Sequence, residues 1–248
     1  MVVYNGSVQT GCGQGSSQTG PFYCSADQTV YIDLDFFKTM QQSIGASGDF
    51  CYAYVIAHEV GHHVQYLLGT LDDAHSRMSR VSEREANEIS VRLELQADYY
   101  AGVWGNRDNE MFGSIEPGDV ENAINAASKI GDDYLQKKAY GREMPESFNH
   151  GRSEWRVRWL SKGLKTGDPL QGDTFSIPYS QVLGDLKLSI NVEWMNRCLD
   201  SSTLLIWKYE IEKINGRYLK FTKIPDLLSL LEVNCLQKAD RSSSKTLL

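Results

Sequence analysis

The pentapeptide HEVGH at residues 58–62 constrains this chain more than any other feature, because it sets two imidazoles and a carboxylate at helical spacing. On a helix, positions i and i+4 lie on one face, so His58 and His62 can bind one metal ion. Apolar residues continue at helical spacing on either side of the motif as far as Gly69, a C-cap residue type. The pattern therefore predicts a metal site in the middle of a helix, with Glu59 beside it.

Two histidines and an adjacent glutamate are the donor set of hydrolytic zinc chemistry. Bound Zn²⁺ polarises a scissile carbonyl and lowers the pKa of water toward ~7, and a nearby carboxylate takes the proton. Glu59 is therefore predicted to be a general base and not a ligand, and the expected substrate is a peptide or protein. The alternative is that both histidines pack in a core, since a pattern of three fixed positions also arises by chance.

A catalytic zinc ion needs a third protein ligand and one open position. Glu94 is the best candidate, because it lies in a stretch rich in helix formers with Asp98 four residues later on the same face. A carboxylate one turn from the ligand can accept the free N–H of a ligand histidine and fix its tautomer. Two carboxylates at this spacing usually mark a solvated face. The zinc motif upstream nevertheless favours Glu94 as the third ligand and Asp98 as the carboxylate that orients a ligand histidine.

His150 is the candidate for a donor to the oxyanion that forms when water attacks a carbonyl. It lies in a loop-like segment before an aromatic and basic stretch, although a lone loop histidine is more often a surface residue. His63 follows the motif directly and points about 100° away around the helix, so it is interpreted as structural. His75 lies in a polar stretch, residues 71–84, and receives no role.

Residues 11 to about 176 closely resemble the bacterial family of putative neutral zinc metallopeptidases. The resembling blocks, in family order, are 12–17 (CGQGSS), 20–24 (GPFYC), 30–34 (VYIDL), 57–65 (AHEVGHHVQ), 93–98 (LELQAD), 102–104 (GVW), 130–133 (IGDD) and 147–159 (SFNHGRSEWRVRW). The resemblance implies a zincin-like fold of the gluzincin type, with His58 and His62 as ligands, Glu59 as base and Glu94 as third ligand. The stretch from His150 to Arg156 also resembles the His-plus-Arg loop of membrane-associated gluzincins, whose histidine binds the oxyanion.

The chain departs from the family pattern in two ways. Family members usually have a longer N-terminal region with one membrane-spanning segment, which implies a membrane-associated or extracytoplasmic location. No apolar run here approaches the ~20 residues needed to span a bilayer, and nothing resembles a signal peptide, so we expect either no anchor or a truncated chain. Relatives also tend to place cysteines where this chain has Tyr99 and Gly172, so a bridge formed there in relatives would be missing at both ends.

Cys12 and Cys24 flank a loop rich in Gly and Ser that is short enough to close as a disulfide. Metal binding by this pair is the alternative, but no His or other Cys lies close in sequence. If Cys12 and Cys24 form a disulfide, we expect Cys51, Cys198 and Cys235 to be free or partly paired.

The net charge of the chain changes sign near residue 176. Residues 177–248 carry 10 Lys plus Arg and 8 Asp plus Glu, a net charge of +2, whereas the first 176 residues carry −9. We therefore predict a catalytic domain at residues 1–176 and a C-terminal extension at 177–248, partly β, with an Asn-Gly hairpin at residues 204–221 and a short helix at 227–233. The overall charge of −7 argues against nucleic-acid binding.

The periodicities predict an α+β protein that is mostly helical, with a small sheet. The expected strand is 29–34, and residues 1–29 are expected to be loop with one possible short strand. The expected helices are 36–44, 49–68, 82–104, 118–127, 132–139 and one that begins with 154–163. An edge strand near the cleft could bind an extended peptide by main-chain pairing.

Two other classes of function stay open. One is a catalytically inactive zinc-binding or regulatory protein that retains the site, which zinc content without cleavage would reveal. The other is an interaction protein whose functional part is the C-terminal extension. An intact Glu59 favours catalysis over the first alternative.

Overall fold

The computed structural model describes residues 1–45 and 48–184, and most of these residues are helical. The strands are β1 (Val2–Tyr4), β2 (Ser7–Thr10), β3 (Gly13–Ser16), β4 (Phe22–Cys24) and β5 (Thr29–Asp33). The helices are α1 (Leu34–Thr39), α2 (Asp49–Leu67), α3 (Thr70–Met78), α4 (Glu83–Phe112), α5 (Asp119–Lys129), α6 (Asp132–Tyr140), α7 (Ser153–Thr166) and α8 (Tyr179–Leu183). A π-helical turn at Met40–Ile44 continues α1. The predicted helix 36–44 is therefore present, but it is α-helical only as far as Thr39 and π-helical beyond it.

The N-terminal strands form two small sheets. β5 is the central strand of the first sheet, parallel to β1 and antiparallel to β4, and β2 pairs with β3 in a hairpin. The expectation that residues 1–29 are mostly loop was therefore wrong. Their strands are only 3 or 4 residues long, too short to show the alternation that identifies a strand from sequence.

The predicted disulfide between Cys12 and Cys24 is confirmed. It ties the turn of the β2–β3 hairpin to β4 and so connects the two sheets covalently. Cys51 is free and fully buried in α2, where burial raises the pKa of its thiol to about 11. Cys198 and Cys235 lie outside the described residues.

Helix α4 begins where the sequence predicts but ends later. Ser82 and Glu85 form a capping box at its N-terminus, and Gly113 caps its C-terminus in the left-handed conformation. Its last residue, Phe112, lies eight residues beyond the predicted end at Trp104. Helix α3 was missed, because its polar residues dominate the stretch in which it lies. Only Leu71 and Ala74 are buried there, three residues apart on one face.

Helices α2, α4 and α7 pack closely because small residues lie where they cross. A Cβ atom on Gly61 would lie 3.0 Å from the Cα of Ala97, so α2 approaches α4 at the glycine of the HEVGH motif. Gly102 of α4 faces the backbone of α7, and Gly163 of α7 faces the backbone of α4, with no room for a methyl group at either position. These contacts set the distances between side chains that project from the three helices.

Positions 99 and 172, which the family resemblance compares with cysteines, are in contact. A Cβ atom on Gly172 would lie 2.5 Å from the Tyr99 ring, so the ring occupies the space that a side chain at 172 would need.

The described residues form one compact unit with the α+β, mostly helical architecture expected from the sequence; the zincin-like part of that expectation stays a prediction. Val182 of α8 is fully buried against Val91 and Trp159, so packing continues past residue 176. The division at 176 stays a prediction, and the hairpin and helix expected at 204–233 lie outside the described residues. Within the described part of the chain, no helix has the length and apolar character needed to cross a membrane.

Gly163→Ala should destabilise the protein by about 3 kcal/mol, because its methyl group would overlap the Tyr99 carbonyl oxygen across a rigid helix crossing. Denaturant unfolding measures the change. Lys165→Ala, at an exposed position of the same helix, is the control and should stay within about 0.5 kcal/mol of the wild type. Equal stability of the glycine variant and the control would contradict the close crossing.

Candidate metal centre

Three side chains converge between α2 and α4. Nε2 of His58 lies 3.2 Å from one carboxylate oxygen of Glu94, and Nε2 of His62 lies 3.4 Å from the other. In the described part of the chain, these three residues form a group that could hold a metal ion, with ligand atoms within 4.8 Å of one another. Tetrahedral zinc with bonds of about 2.1 Å sets its ligand atoms about 3.4 Å apart, close to the two distances between the imidazoles and the Glu94 carboxylate.

Both imidazoles are held by acceptors at their other nitrogen. Nδ1 of His58 lies 2.9 Å from Oδ1 of Asp98, and Nδ1 of His62 lies 2.8 Å from Oε1 of Gln65. The amide of Gln65 cannot turn around freely, because its Nε2 donates to the backbone carbonyl of Leu93 at 2.8 Å. Each Nδ1 is therefore placed to donate its N–H to these acceptors, which leaves Nε2 as the ring nitrogen available to a metal ion.

Asp98 is fully buried at the centre of a hydrogen-bonded network. Its Oδ1 accepts from the Tyr54 hydroxyl at 2.7 Å, and its Oδ2 accepts from Nε of Arg156 at 2.8 Å. Burial opposes ionisation of the carboxyl, but the charge of the buried Arg156 and the contact with His58 outweigh it and lower the pKa of Asp98 to about 2. Asp98 is thus an anion that holds His58 in one orientation.

Glu59 lies beside the three candidate ligands without joining them. Its side chain lines the same cleft as His58, His62 and Glu94, and only 8% of the residue is exposed. Burial raises the pKa of its carboxyl, while the neighbouring histidines oppose the rise. A carboxyl with a raised pKa next to a metal site is suited to accept and return a proton.

His150 reaches the same cleft from the loop before α7, and half of its side chain is exposed. Asp132, at the start of α6, holds this loop: its Oδ2 accepts the backbone N–H groups of Asn149, His150 and Gly151 at 2.7 to 2.9 Å. Its Oδ1 lies 3.2 Å from Nδ1 of His150, and this hydrogen bond is the main reason why the pKa of His150 is raised. Since Nδ1 is engaged by Asp132, Nε2 is the ring nitrogen of His150 that can contact a molecule bound in the cleft.

Three further residues support these side chains and were not predicted from the sequence: Tyr54, Gln65 and Asp132. Gln65 stands three residues after His62, a helical spacing that could have identified it. Asp132 belongs to the IGDD block of the family resemblance, but its contact with the His150 loop depends on tertiary structure. His63 donates to or accepts from the Tyr23 hydroxyl at 2.9 Å, and His75 lines the far end of the cleft.

Residues 1–175 match the family described as putative neutral zinc metallopeptidase, and the chain belongs to this family. The uncharacterized protein YpfJ of Escherichia coli K12 is 52% identical over 175 residues, which cover 71% of this chain and 61% of YpfJ. The uncharacterized protein Mb2605 of Mycobacterium bovis is 43% identical over 186 residues, which cover 71% of this chain and 62% of that protein. The chain therefore matches about three fifths of the length of these relatives, and no solved structure matches it.

Asp132→Asn should lower the free energy of unfolding by about 2 kcal/mol at neutral pH, because three backbone N–H groups lose a charged acceptor. The pKa of Asp132 in the folded protein lies below its ordinary value of 3.8, since the hydrogen bonds and His150 outweigh burial. Its charge thus stabilises the fold above about pH 4, and this contribution is lost as the pH falls through the lower, folded-state pKa.

Denaturant unfolding of both proteins at neutral and acid pH tests this expectation. The difference between wild type and variant should be largest at neutral pH and should shrink in acid. Asp73→Asn on the exposed face of α3 is a matched control, expected within about 0.5 kcal/mol of the wild type at neutral pH. A difference that grows in acid would contradict a charge-stabilised loop.

Proposed function

We propose that this chain is a zinc-dependent peptidase in which His58, His62 and Glu94 bind the ion and Glu59 is the general base. The observation that carries the proposal is the arrangement of three carboxylates around the two imidazoles. Glu94 lies within 3.4 Å of both imidazoles, Asp98 holds His58 from behind, and Glu59 faces the cleft beside them. Three ligands leave a fourth position open, which is typical of catalytic and not of structural zinc.

When bound, zinc supplies Lewis acidity toward the scissile carbonyl and lowers the pKa of water toward ~7. Glu59 accepts the proton of the attacking water and returns it to the departing amine, which its raised pKa favours. His150 donates from Nε2 to the oxyanion that forms on the carbonyl. Asp98 and Asp132 do not touch substrate; they keep His58 and His150 in the orientations that these tasks require.

The alternative is a zinc-binding protein without activity. Glu59 and His150 argue against it, because neither is needed to hold a metal and both line the cleft. Zinc binding without turnover in the wild type would favour this alternative.

Purified protein should contain about one zinc ion per chain, and His58→Ala, His62→Ala and Glu94→Ala should each lose most of it, because two ligands alone do not hold zinc. Elemental analysis after dialysis measures the content. His63→Ala is the matched control, since His63 is the next residue on the same helix but bonds to Tyr23, and it should keep the metal.

The Asp98→Ala variant distinguishes a zinc ligand from a residue that only orients a ligand histidine. We expect it to retain zinc with an affinity about 10- to 100-fold lower, the usual effect of removing a group that orients a ligand histidine. If Glu94→Ala binds zinc normally and Asp98→Ala does not, the two roles are reversed.

Glu59→Gln should keep its zinc and lose turnover by several orders of magnitude, because it removes the base and preserves the shape. His150→Ala should also keep its zinc but lower kcat by about 10²- to 10³-fold, the usual loss for one oxyanion donor. Steady-state cleavage of a fluorogenic peptide measures both. Unchanged turnover in Glu59→Gln would exclude Glu59 as the base, whereas zinc loss in His150→Ala would point to a ligand role for His150.

A further inference from the structure

The two candidate ligand histidines are held by acceptors of different kinds. Nδ1 of His58 lies 2.9 Å from a carboxylate oxygen of Asp98, and both oxygens of an ionised carboxylate accept hydrogen bonds. Nδ1 of His62 lies 2.8 Å from Oε1 of Gln65, which belongs to a neutral amide with one accepting and one donating end. Gln65 therefore holds His62 in the orientation that a metal ion requires only if its oxygen, and not its nitrogen, points at the imidazole.

Two acceptors decide which end of the Gln65 amide faces the imidazole. Its Nε2 donates to the backbone carbonyl of Leu93 at 2.8 Å and to Oε1 of Gln96 at 3.0 Å. Gln65 is fully buried, so an amide turned by 180° would set oxygen against oxygen at both contacts. The carbonyl of Leu93 is fixed by helix α4, whereas Gln96 carries a second amide that could itself be turned around.

The amide of Gln96 is fixed by a backbone carbonyl. Gln96 is only 5% exposed, and its Nε2 donates to the carbonyl of Gly172 at 3.0 Å. Because a carbonyl can only accept, it keeps the nitrogen of Gln96 on its own side and leaves the oxygen of Gln96 facing Gln65. Donors and acceptors therefore follow one consistent direction from the Gly172 carbonyl to the imidazole of His62.

The chain segment that carries this carbonyl is attached to α4 by other contacts. The Tyr99 hydroxyl donates to the backbone carbonyl of Asp168. Thr174 is fully buried, and its hydroxyl donates to the backbone carbonyl of Arg92 at 2.8 Å. These two contacts lie on either side of the carbonyl in the chain, so it stays in place without the hydrogen bond from Gln96.

We propose that Gln96 is a positioning residue for the zinc site, a role that rests on the zinc binding in the proposed function. The Gly172 carbonyl orients Gln96, and Gln96 orients the amide of Gln65. Gln65 in turn holds His62 with Nε2 toward the ion. Gln96 lies two residues after Glu94, about 200° around α4, so it faces away from the cleft and acts on the metal through Gln65.

Zinc dissociation constants, measured by competition with a chelator, test this role in Gln65→Met, Gln96→Met and the double variant. Methionine keeps the length of glutamine and removes both its donor and its acceptor. Gln65→Met should raise the Kd about 10- to 100-fold, the usual effect of removing a group that orients a ligand histidine, and Gln96→Met should raise it about 3- to 10-fold. The double variant should match Gln65→Met alone, because the effect of Gln96 passes through Gln65.

Three further variants complete the experiment. Gln136→Met is the matched control, since the amide of Gln136 also makes two hydrogen bonds, to the segment before the His150 loop, and its loss should leave the zinc Kd unchanged. Gln96→Glu should stay within about 3-fold of the wild type, because a buried, protonated carboxyl has one oxygen that accepts and one O–H that donates, as the amide does. Gln96→Asn is too short to make both hydrogen bonds and carries the same expectation as Gln96→Met, should the Met variant not fold.

Three outcomes would overturn the role of Gln96 while leaving the proposed function intact. One is an unchanged zinc Kd in Gln96→Met. Another is a double variant whose loss of zinc-binding free energy equals the sum of the two single losses, since the two residues would then act separately. The third is an equal loss in Gln96→Glu and Gln96→Met, which would indicate a general effect on packing. Wild-type protein that binds no zinc would overturn both the role and the proposed function.

Discussion

The candidate site depends on one buried carboxylate, that of Asp98. Moving an ionised carboxyl out of water costs several kcal/mol unless charge and hydrogen bonds compensate. Here Tyr54, His58 and Arg156 together supply hydrogen bonds to both oxygens, and Arg156 supplies the opposite charge. These partners lie on α2 and α7, while Asp98 lies on α4, so satisfying one carboxylate fixes three helices relative to one another.

Close helix packing makes this arrangement possible. Arg156 reaches Asp98 because Gly102 and Gly163 let α7 lie close against α4, and His58 reaches it because Gly61 lets α2 approach Ala97. Gly61, inside the HEVGH motif, therefore has a structural role, because it lets α2 approach α4 closely. The candidate ligands sit on rigid helices, whereas the proposed oxyanion donor sits on a loop that Asp132 anchors.

Local spacing explains what the sequence could predict. His58 and His62, and likewise Glu94 and Asp98, are each four residues apart on a helix, so their shared faces follow from helix geometry alone. The supporting residues were harder to find, because Tyr54, Arg156 and Asp132 act on partners 17 to 58 positions away in the chain. The N-terminal strands were missed for a different reason: strand pairing, the Cys12–Cys24 disulfide and a small apolar cluster around Tyr4 and Tyr31 stabilise them, and these contacts join separate short segments.

Locating the zinc ion is the most direct test of this account. Diffraction data collected on either side of the zinc absorption edge, from crystals grown without added metal, would place the ion through its anomalous signal. The account predicts one site per chain, about 2.1 Å from Nε2 of His58, Nε2 of His62 and one carboxylate oxygen of Glu94. A zinc ion bound by Asp98 in place of Glu94, or one bound away from α2, would contradict it.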